Sequence, residues 1–278
     1  MFHKLMHKAP KRKMNMKAQM REVQELQLER DNLLSSKSDF FIREAYKTLR
    51  TNVTFSLTGE NSSSTILVTS SMQGEGKTFT ALNLAISFAQ AEKKVLLIDC
   101  DLRRPKVSRL LKLNNEIGLS NVLMQPDFLS QAILPTHEKN FSVMLSGDIP
   151  PNPSELLGSV RMTRLLDALK GQFDYVILDT PPVNVVTDSM VLAPQCDGVL
   201  FVVRAGQSER GAVMHAVDQL RYGNAKLLGF VMNGADTATS GYGGYRKKKY
   251  GKYNQYYGYG YYQQSYSMQN SADAENHV

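Results

Sequence analysis

Six short, continuously apolar segments recur between residues 65 and 233, and amphipathic patterns with helical spacing separate most of them. Segments of this length without polar alternation are typical of strands buried on both faces of a parallel sheet. The apolar segments span 65–70, 94–100, 141–147, 174–180, 198–204 and 226–233, and the helical patterns span 77–92, 154–170 and 208–222. This alternation predicts an α/β fold with a doubly wound, mostly parallel sheet and helices on both faces. Its functional groups should lie just beyond the carboxyl ends of the strands.

A glycine-rich sequence, Gly-Glu-Gly-Lys-Thr, follows the first predicted strand and opens the first predicted helix. It matches the end of the phosphate-binding P-loop pattern, with Ser71 in place of the first glycine. Gly74 and Gly76 let the backbone direct its N–H groups toward phosphate oxygens, and the helix adds the positive end of its dipole. Lys77 is suited to neutralise the β- and γ-phosphates, and the Thr78 hydroxyl is suited to bind Mg²⁺. We therefore predict a P-loop NTPase sheet that binds ATP and Mg²⁺ through these residues: Gly74, Glu75, Gly76, Lys77, Thr78 and Phe79.

Aspartates follow the second and fourth predicted strands, Asp99 and Asp101 after one and Asp179 after the other. Because side chains alternate along a strand, a continuing strand would place Asp99 and Asp101 on one face. Carboxylates at this edge suit Mg²⁺ binding and proton abstraction, and an aspartate after an apolar strand is the Walker B arrangement. We predict four catalytic residues, Lys77, Asp99, Asp101 and Asp179, and three Mg²⁺ ligands, Thr78, Asp99 and Asp179. Which aspartate of the first pair accepts a proton is left open by the sequence.

The net charge of +7 is confined to one end of the chain. Residues 1–21 carry seven Lys or Arg and no acid, whereas the remaining chain carries 26 basic and 26 acidic residues. A nucleic-acid-binding domain is expected to carry its charge on a folded face, so we predict no nucleic-acid partner. A basic arm gains about 1 kcal/mol per Lys or Arg at an anionic membrane leaflet, although a solvated tail is an equally good interpretation. No uncharged apolar stretch reaches 18 residues, and the two cysteines lack the spacing of a metal site.

Composition divides the chain into three regions. We predict a basic arm with an N-terminal helix over 1–37, the P-loop domain over 38–236, and a disordered tail over 237–278, which is rich in Tyr, Gly, Gln and Ser. Ten of the 13 tyrosines lie in this tail, where each phenol is free to enter an active site on another molecule. A tail that self-associates or stacks on RNA is the alternative from composition alone. These ten are Tyr242, Tyr245, Tyr250, Tyr253, Tyr256, Tyr257, Tyr259, Tyr261, Tyr262 and Tyr266, and they become candidate phosphorylation sites only through the family resemblance given next.

Together these motifs resemble those of the bacterial tyrosine kinases of the capsule and exopolysaccharide type. The resemblance extends over about residues 38–266 and rests on residues 74–78, 98–103, 150–157 and 178–182. It implies an ATP-dependent protein-tyrosine kinase that phosphorylates its own C-terminal tyrosines, mainly between subunits. It also implies a role in the control of capsule or exopolysaccharide synthesis.

The same resemblance implies further contacts and partners. The family has an oligomerisation motif, Glu-x-x-Arg-x-x-Arg, and here Glu44, Lys47 and Arg50 occupy its three positions. Lys47 stands where the motif has its first arginine, so the charge is kept but the bidentate hydrogen bonding of a guanidinium group is lost. The implied partners are other copies of the chain in a ring, a transmembrane polysaccharide chain-length regulator that activates the kinase, and a cognate protein-tyrosine phosphatase. The implied location is cytoplasmic, at the inner face of the membrane through that regulator. In related P-loop ATPases an asparagine after the last strand contacts adenine, so Asn233 is a cofactor-binding candidate, the alternative being a turn residue before Gly234.

The main alternative is a partition- or division-site ATPase switch, which shares the sheet and the aspartates. Those proteins carry a signature lysine five residues before the P-loop lysine, where this chain has Met72, and they have no use for a tyrosine-rich tail. An iron–sulfur carrier ATPase needs a Cys-x-x-Cys pair, which this sequence lacks. A non-enzymatic nucleic-acid-binding protein would leave the P-loop and the aspartates without a role.

Overall fold

A computed structural model of the chain describes residues 16–57 and 63–235. The chain divides into two units, Met1–Ala235 and Asp236–Val278, and every described residue belongs to the first. The tail expected over 237–278 and most of the charged residues of the basic arm therefore lie outside the described residues. Within the described part, no helix is long and apolar enough to cross a membrane.

Seven strands of the described residues form one sheet, in the spatial order β3-β4-β2-β5-β1-β6-β7. Every neighbouring pair is parallel except β3 and β4. In this order β5 lies between β1 and β2, although it follows both in the chain, which is typical of an open, doubly wound sheet. The predicted fold class is thereby confirmed. The strands are β1 (Ser64–Ser70), β2 (Val95–Asp99), β3 (Ile133–Pro135), β4 (Phe141–Met144), β5 (Tyr175–Asp179), β6 (Gly198–Arg204) and β7 (Leu227–Asn233).

Ten α-helices accompany the sheet in the part of the chain that the structure describes, together with short 3₁₀ turns at Pro126–Phe128 and Ala193–Gln195. Asp39 caps the second of these helices, because its side chain accepts a hydrogen bond from the Phe41 N–H at 2.8 Å. The helices are α1 (Met16–Asp31), α2 (Phe40–Ser56), α3 (Lys77–Ala89), α4 (Val107–Leu111), α5 (Leu119–Met124), α6 (Leu129–Ala132), α7 (Pro153–Leu157), α8 (Val160–Lys170), α9 (Asp188–Leu192) and α10 (Arg210–Tyr222).

Alternate residues of the strands fill two apolar layers, one on each side of the sheet. In β2, Leu96 and Ile98 belong to the layer that also contains residues of α8 and α10, whereas Val95 and Leu97 belong to the layer that contains α3. Eleven of the 13 residues of α3 are buried. The burial of α3 fixes its first turn, and with it the P-loop, against the sheet.

The structure departs from the sequence-based expectation in its small elements. The six predicted strands are confirmed to within three residues at each end, but the edge strand β3 has only three residues and no pattern of its own. The helix predicted over 154–170 is two helices, because Gly158 and Ser159 interrupt it and the Ser159 backbone is extended, with ψ of 155°. The helix α1 lies within residues 1–37, where the sequence analysis expects a helix.

Candidate active site

The P-loop connects β1 to α3 at the carboxyl edge of the sheet, and two of its glycines have left-handed backbone conformations. The φ angles of Gly74 and Gly76 are +82° and +91°. A Cβ atom on Gly76 would lie 1.8 Å from Asn233 Nδ2, so this position requires glycine for space as well as for conformation. Lys77 and Thr78 begin α3, where the first N–H groups have no acceptor within the helix. The loop thus has the backbone that a phosphate-binding turn requires.

Lys77 lies between two of the predicted catalytic aspartates. Its Nζ is 3.1 Å from Asp101 Oδ2 and 3.8 Å from Asp179 Oδ1, and its side chain is 13% exposed. Burial alone would lower the pKa of Lys77, but the charges of Asp179 and Asp101 raise this pKa above its ordinary value. The lysine is therefore a fixed positive charge at the start of α3.

Asp179 brings a buried carboxylate to the site, and its charge is opposed by the Lys77 ammonium group 3.8 Å away. It is fully buried at the end of β5, and neither of its oxygens has a hydrogen-bond partner among the described residues. Burial raises the pKa of Asp179, and the charge of Lys77 opposes this effect. Buried carboxylate oxygens without hydrogen-bond donors are suitable ligands for a hard cation such as Mg²⁺. The buried residue Thr78, on the first turn of α3, offers a hydroxyl oxygen as a further ligand. These residues fit the Mg²⁺ ion that a P-loop nucleotide carries.

The Asp99 side chain binds the backbone of the loop that follows β2. It is fully buried, its Oδ1 accepts from the Asp101 N–H at 3.2 Å, and its Oδ2 accepts from the N–H groups of Lys106 and Val107 at 3.2 and 3.1 Å. Burial, reinforced by the charge of Asp179, raises the pKa of Asp99 to about 8. The negative charges of Asp99 and Asp179 therefore repel each other, and a bound metal cation would reduce this repulsion.

Asp101 is the least buried of the three aspartates, at 7% exposure. Its Oδ2 accepts from Lys77 Nζ, and its Oδ1 accepts from the Arg104 N–H at 3.0 Å. The strand β2 ends at Asp99, so strand alternation is not what brings Asp99 and Asp101 together, and that expectation was wrong in its reason. A turn after Asp99 places both aspartates near Lys77.

A second polar cluster, made of Arg103, Ser154 and Asp188, joins the loop after β2 to two helices. Arg103 Nε and Nη2 donate to the two oxygens of Asp188 at 2.9 and 3.0 Å, and Ser154 Oγ donates to Asp188 Oδ1 at 2.5 Å. The cluster ties the loop after β2 to the starts of α7 and α9. Asp188 was not found from the sequence because it belongs to no motif; only its complete burial against an arginine identifies it.

Glu75 and Asn233 meet at the side of the P-loop. Asn233 Nδ2 donates to the Glu75 carbonyl oxygen at 3.0 Å, while the Glu75 carboxylate accepts from the hydroxyls of Ser71 and Ser208. Phe79 is half-buried on the first turn of α3. The cofactor-binding roles of Glu75, Phe79 and Asn233 stay predictions. No sequence pattern indicated that Ser208 would contact the P-loop.

The residues of the expected oligomerisation motif lie on α2, which packs against α3. Glu44 and Lys47 form an exposed ion pair at 2.7 Å, whereas Arg50 Nη1 donates to the carbonyl oxygen of Ser87 in α3. Arg50 therefore has a partner within its own chain, and none of the three joins the Lys77 site. The ten candidate phosphorylation sites between Tyr242 and Tyr266 lie outside the described residues.

The parallel sheet, the P-loop and the carboxylates after β2 and β5 define a P-loop nucleotide-binding protein. The profile of a family described as an AAA domain matches residues 63–225, more than half of the chain. The septum site-determining protein MinD of Pyrococcus horikoshii, solved as a complex with Mg-ADP, is similar with a TM-score of 0.53 at 23% identity, over 61% of this chain and 70% of that one. At this identity the likeness shows the fold alone.

Closer similarities are to tyrosine kinases. Tyrosine-protein kinase YwqD of Bacillus subtilis is 42% identical over 206 residues, which cover 74% of this chain and 86% of that protein. Tyrosine-protein kinase CpsD of Streptococcus agalactiae is 37% identical over 210 residues, or 75% and 90% of the two chains. The kinase domain of the Escherichia coli tyrosine kinase ETK has a TM-score of 0.67 at 33% identity, over 77% and 80%. The chain belongs to the bacterial tyrosine kinases of capsule and exopolysaccharide synthesis, and the division-site ATPase alternative has less support.

Proposed function

We propose that this tyrosine kinase transfers the γ-phosphoryl group of Mg²⁺·ATP to tyrosine hydroxyls in the C-terminal segments of other copies of the chain. The observation that carries the proposal is the position of Lys77 at the start of α3, 3.1 Å from Asp101 and 3.8 Å from Asp179. This arrangement joins a phosphate-neutralising charge to carboxylates that suit metal binding and proton transfer. Phosphoryl transfer depends mainly on such placement and charge neutralisation.

The residues around the P-loop bind and neutralise the phosphates. The N–H groups of residues 74–78 direct their positive ends at the phosphate oxygens, and Lys77 stabilises the charge that develops on the leaving phosphate. Thr78 and Asp179 would hold the Mg²⁺ ion, and Asp99 at the end of β2 would support it. When bound, Mg²⁺ draws charge away from the β- and γ-phosphate oxygens.

Asp101 is the proposed acceptor of the phenol proton. Asp99 is fully buried and accepts three backbone N–H groups, so it is poorly placed to contact an incoming side chain. Asp101 is nearer the surface, and its carboxylate is held in place by Lys77 and by the Arg104 N–H. A tyrosine hydroxyl with an ordinary pKa near 10 needs such a base as its oxygen attacks the phosphorus.

The tyrosine-rich segment 242–266 is the proposed acceptor. It holds ten of the 13 tyrosines and starts seven residues after Ala235, where the first unit of the chain ends. Each phosphate adds about −1.5 to −2 charges at neutral pH, so several transfers reverse the charge of a segment that contains Arg246 and four lysines. A cognate protein-tyrosine phosphatase would restore it.

A ring of copies and a membrane partner complete the proposal. Glu44, Lys47 and Arg50 share one side of α2, and we assign the exposed Glu44–Lys47 pair to the contact with a neighbouring copy. A ring raises the effective concentration of one copy's tyrosines at the next copy's site. A transmembrane polysaccharide chain-length regulator holds the kinase at the inner face of the membrane and activates it. One similar solved structure, covering 68% of this chain at 35% identity with a TM-score of 0.64, is the chimerical protein CapA2B2.

Detection of phosphotyrosine tests the proposed reaction most simply. Purified chain incubated with Mg·ATP should gain phosphotyrosine, and a chain that ends at residue 239 should not, although it keeps every described residue. Omission of Mg²⁺ should abolish the signal of the full chain. Equal labelling of the two chains would contradict the assignment of the acceptor, and no labelling of the full chain together with its activator would contradict the proposed function.

A further inference from the structure

The P-loop of this chain contains a buried acid, Glu75, at a place that must attract negatively charged phosphates. The residue is 2% exposed, and none of its contacts in the described part of the chain is an ion pair. A buried carboxylate without a cation is unfavourable unless donors satisfy its oxygens. The structure must therefore supply hydrogen bonds that hold this charge away from the phosphate side of the loop.

Three donors hold the Glu75 carboxylate. Ser71 Oγ donates to it at 2.8 and 3.0 Å from the two oxygens, the Met72 N–H donates to Oε2 at 2.8 Å, and Ser208 Oγ donates to Oε1. Ser71 stands where the P-loop pattern has its first glycine, so the departure from that pattern supplies a donor that glycine lacks. We call Ser71, Glu75 and Ser208 the Glu75 brace.

The brace connects the P-loop to the strand ends beside it. Ser208 lies after β6, and its Oγ accepts the Arg204 N–H at 2.7 Å while it donates to Glu75. Asn233 at the end of β7 binds the Glu75 carbonyl oxygen. The Glu75 side chain thus connects the P-loop to the segment after β6, and the Glu75 backbone connects it to β7. In the sheet, β6 and β7 lie on the opposite side of β1 from β5 and β2, which carry the aspartates.

We infer that Ser208 is a positioning residue for nucleotide binding, which acts through Glu75 to hold the P-loop in its phosphate-binding conformation before the nucleotide arrives. The inference rests on the proposed ATP site and adds Ser208, which belongs to no motif. A loop that is already ordered loses less conformational entropy on binding, so its nucleotide affinity is higher. Ser208 touches no reacting atom in this account, so its loss should weaken binding without slowing the transfer step.

The test compares Ser208→Ala with Ser208→Thr in the full chain. A hydrogen bond to a charged group is worth enough to change an equilibrium constant about tenfold. We therefore expect Ser208→Ala to raise the Kd for a fluorescent Mg·ADP analogue, and the KM for ATP, by about tenfold. The kcat at saturating ATP should stay within about twofold, and Ser208→Thr, which keeps the hydroxyl, should restore the Kd. Ser38→Ala is the matched control, because Ser38 Oγ also accepts a backbone N–H, that of Ser35 at 2.9 Å, and lies outside the loop.

A second variant keeps the inference testable if Ser208→Ala does not fold. Ser71→Gly gives the loop the glycine of the standard pattern, yet it removes a donor from Glu75, so we expect weaker nucleotide binding than in the wild type. An unchanged or tighter Kd in Ser71→Gly or Ser208→Ala would overturn the inference, as would a loss in Ser208→Ala that Ser208→Thr does not restore. A wild-type chain that binds no Mg·ADP would overturn the proposed ATP site itself, which is a distinguishable result.

Discussion

Lys77 is the residue through which the P-loop and the aspartates interact, because its ammonium group contacts Asp101 and Asp179 from the first turn of α3. Lys77→Met removes the charge that neutralises the phosphates, so tyrosine phosphorylation should fall by at least about 10³-fold, an order typical of a lost phosphate-clamping charge. Quantitative phosphotyrosine immunoblots measure the loss. Lys106→Met is the control, because the Lys106 side chain pairs with Glu29 and only its backbone N–H binds Asp99. Labelling of Lys77→Met at the rate of Lys106→Met would contradict the site.

Asp179 is expected to lower the stability of the nucleotide-free protein in return for its function. Burial raises its pKa, so between the ordinary pKa near 4 and the raised one the folded chain holds more protons than the unfolded chain. The free energy of unfolding must therefore fall as pH rises through this interval. Asp99, with its pKa raised to about 8, contributes a decrease of the same sign up to about that pH.

Asp179→Asn should accordingly raise the Tm of the nucleotide-free protein at pH 8 by about 2–4 °C, the shift that ~1 kcal/mol produces in a domain of this size. The gain should be smaller at pH 6, because Asp99, whose pKa is raised to about 8, is then protonated and does not repel the Asp179 charge. Phosphorylation should be lost at both pH values. Thermal melts at the two pH values provide the measurement, with the exposed Asp167→Asn as control, since its surface pair with Lys170 is worth little. A lower Tm at pH 8 for Asp179→Asn would show that its charge stabilises the fold.

At the scale of elements, the sequence predicted the strands well because each buried strand is a continuous apolar run. It also predicted that Lys77, Asp99, Asp101 and Asp179 lie at one edge of the sheet, where the structure has them, and their catalytic roles stay predictions. It missed β3 and the short helices, because elements of three to six residues carry no period that can be recognised. It missed Asp188 and Ser208 for another reason: their roles arise from contacts with Arg103 and Glu75, which lie 85 and 133 residues away in the chain.

The helix α2 allows a sharp test of the proposed ring. Exchanging the two charges in Glu44→Lys/Lys47→Glu keeps the ion pair within the helix, so the fold should be unaffected. A neighbouring copy would meet reversed charges, so the variant should have the mass of a monomer by light scattering and slower labelling at low protein concentration. Lys139→Glu, at an exposed site on the chain, is the control for charge reversal as such. An unchanged mass together with an unchanged rate would remove Glu44 and Lys47 from the contact between copies.

At the scale of the whole molecule, the basic arm sets the net charge. Removing residues 1–15 leaves α1 intact and deletes five of the seven Lys or Arg of residues 1–21. We propose that the arm binds the anionic inner leaflet, so the full chain should sediment with anionic vesicles at low salt more than the shortened chain does. The difference should disappear near 1 M salt, where the Debye length is about 3 Å. Equal sedimentation of the two chains at low salt would indicate a solvated arm without a membrane role.

Transfer of phosphate from one copy of the chain to another can be tested by mixing two variants. A chain of residues 1–239 has the complete described site but no tyrosine-rich segment, whereas full-length Lys77→Met has the segment but lacks the phosphate-binding lysine. After incubation of the two with Mg·ATP, peptide mass mapping should find phosphate on the Lys77→Met chain within residues 242–266, and neither protein alone should be labelled. Absence of label in the mixture, or label confined to Tyr46, Tyr175 or Tyr222, would contradict the account.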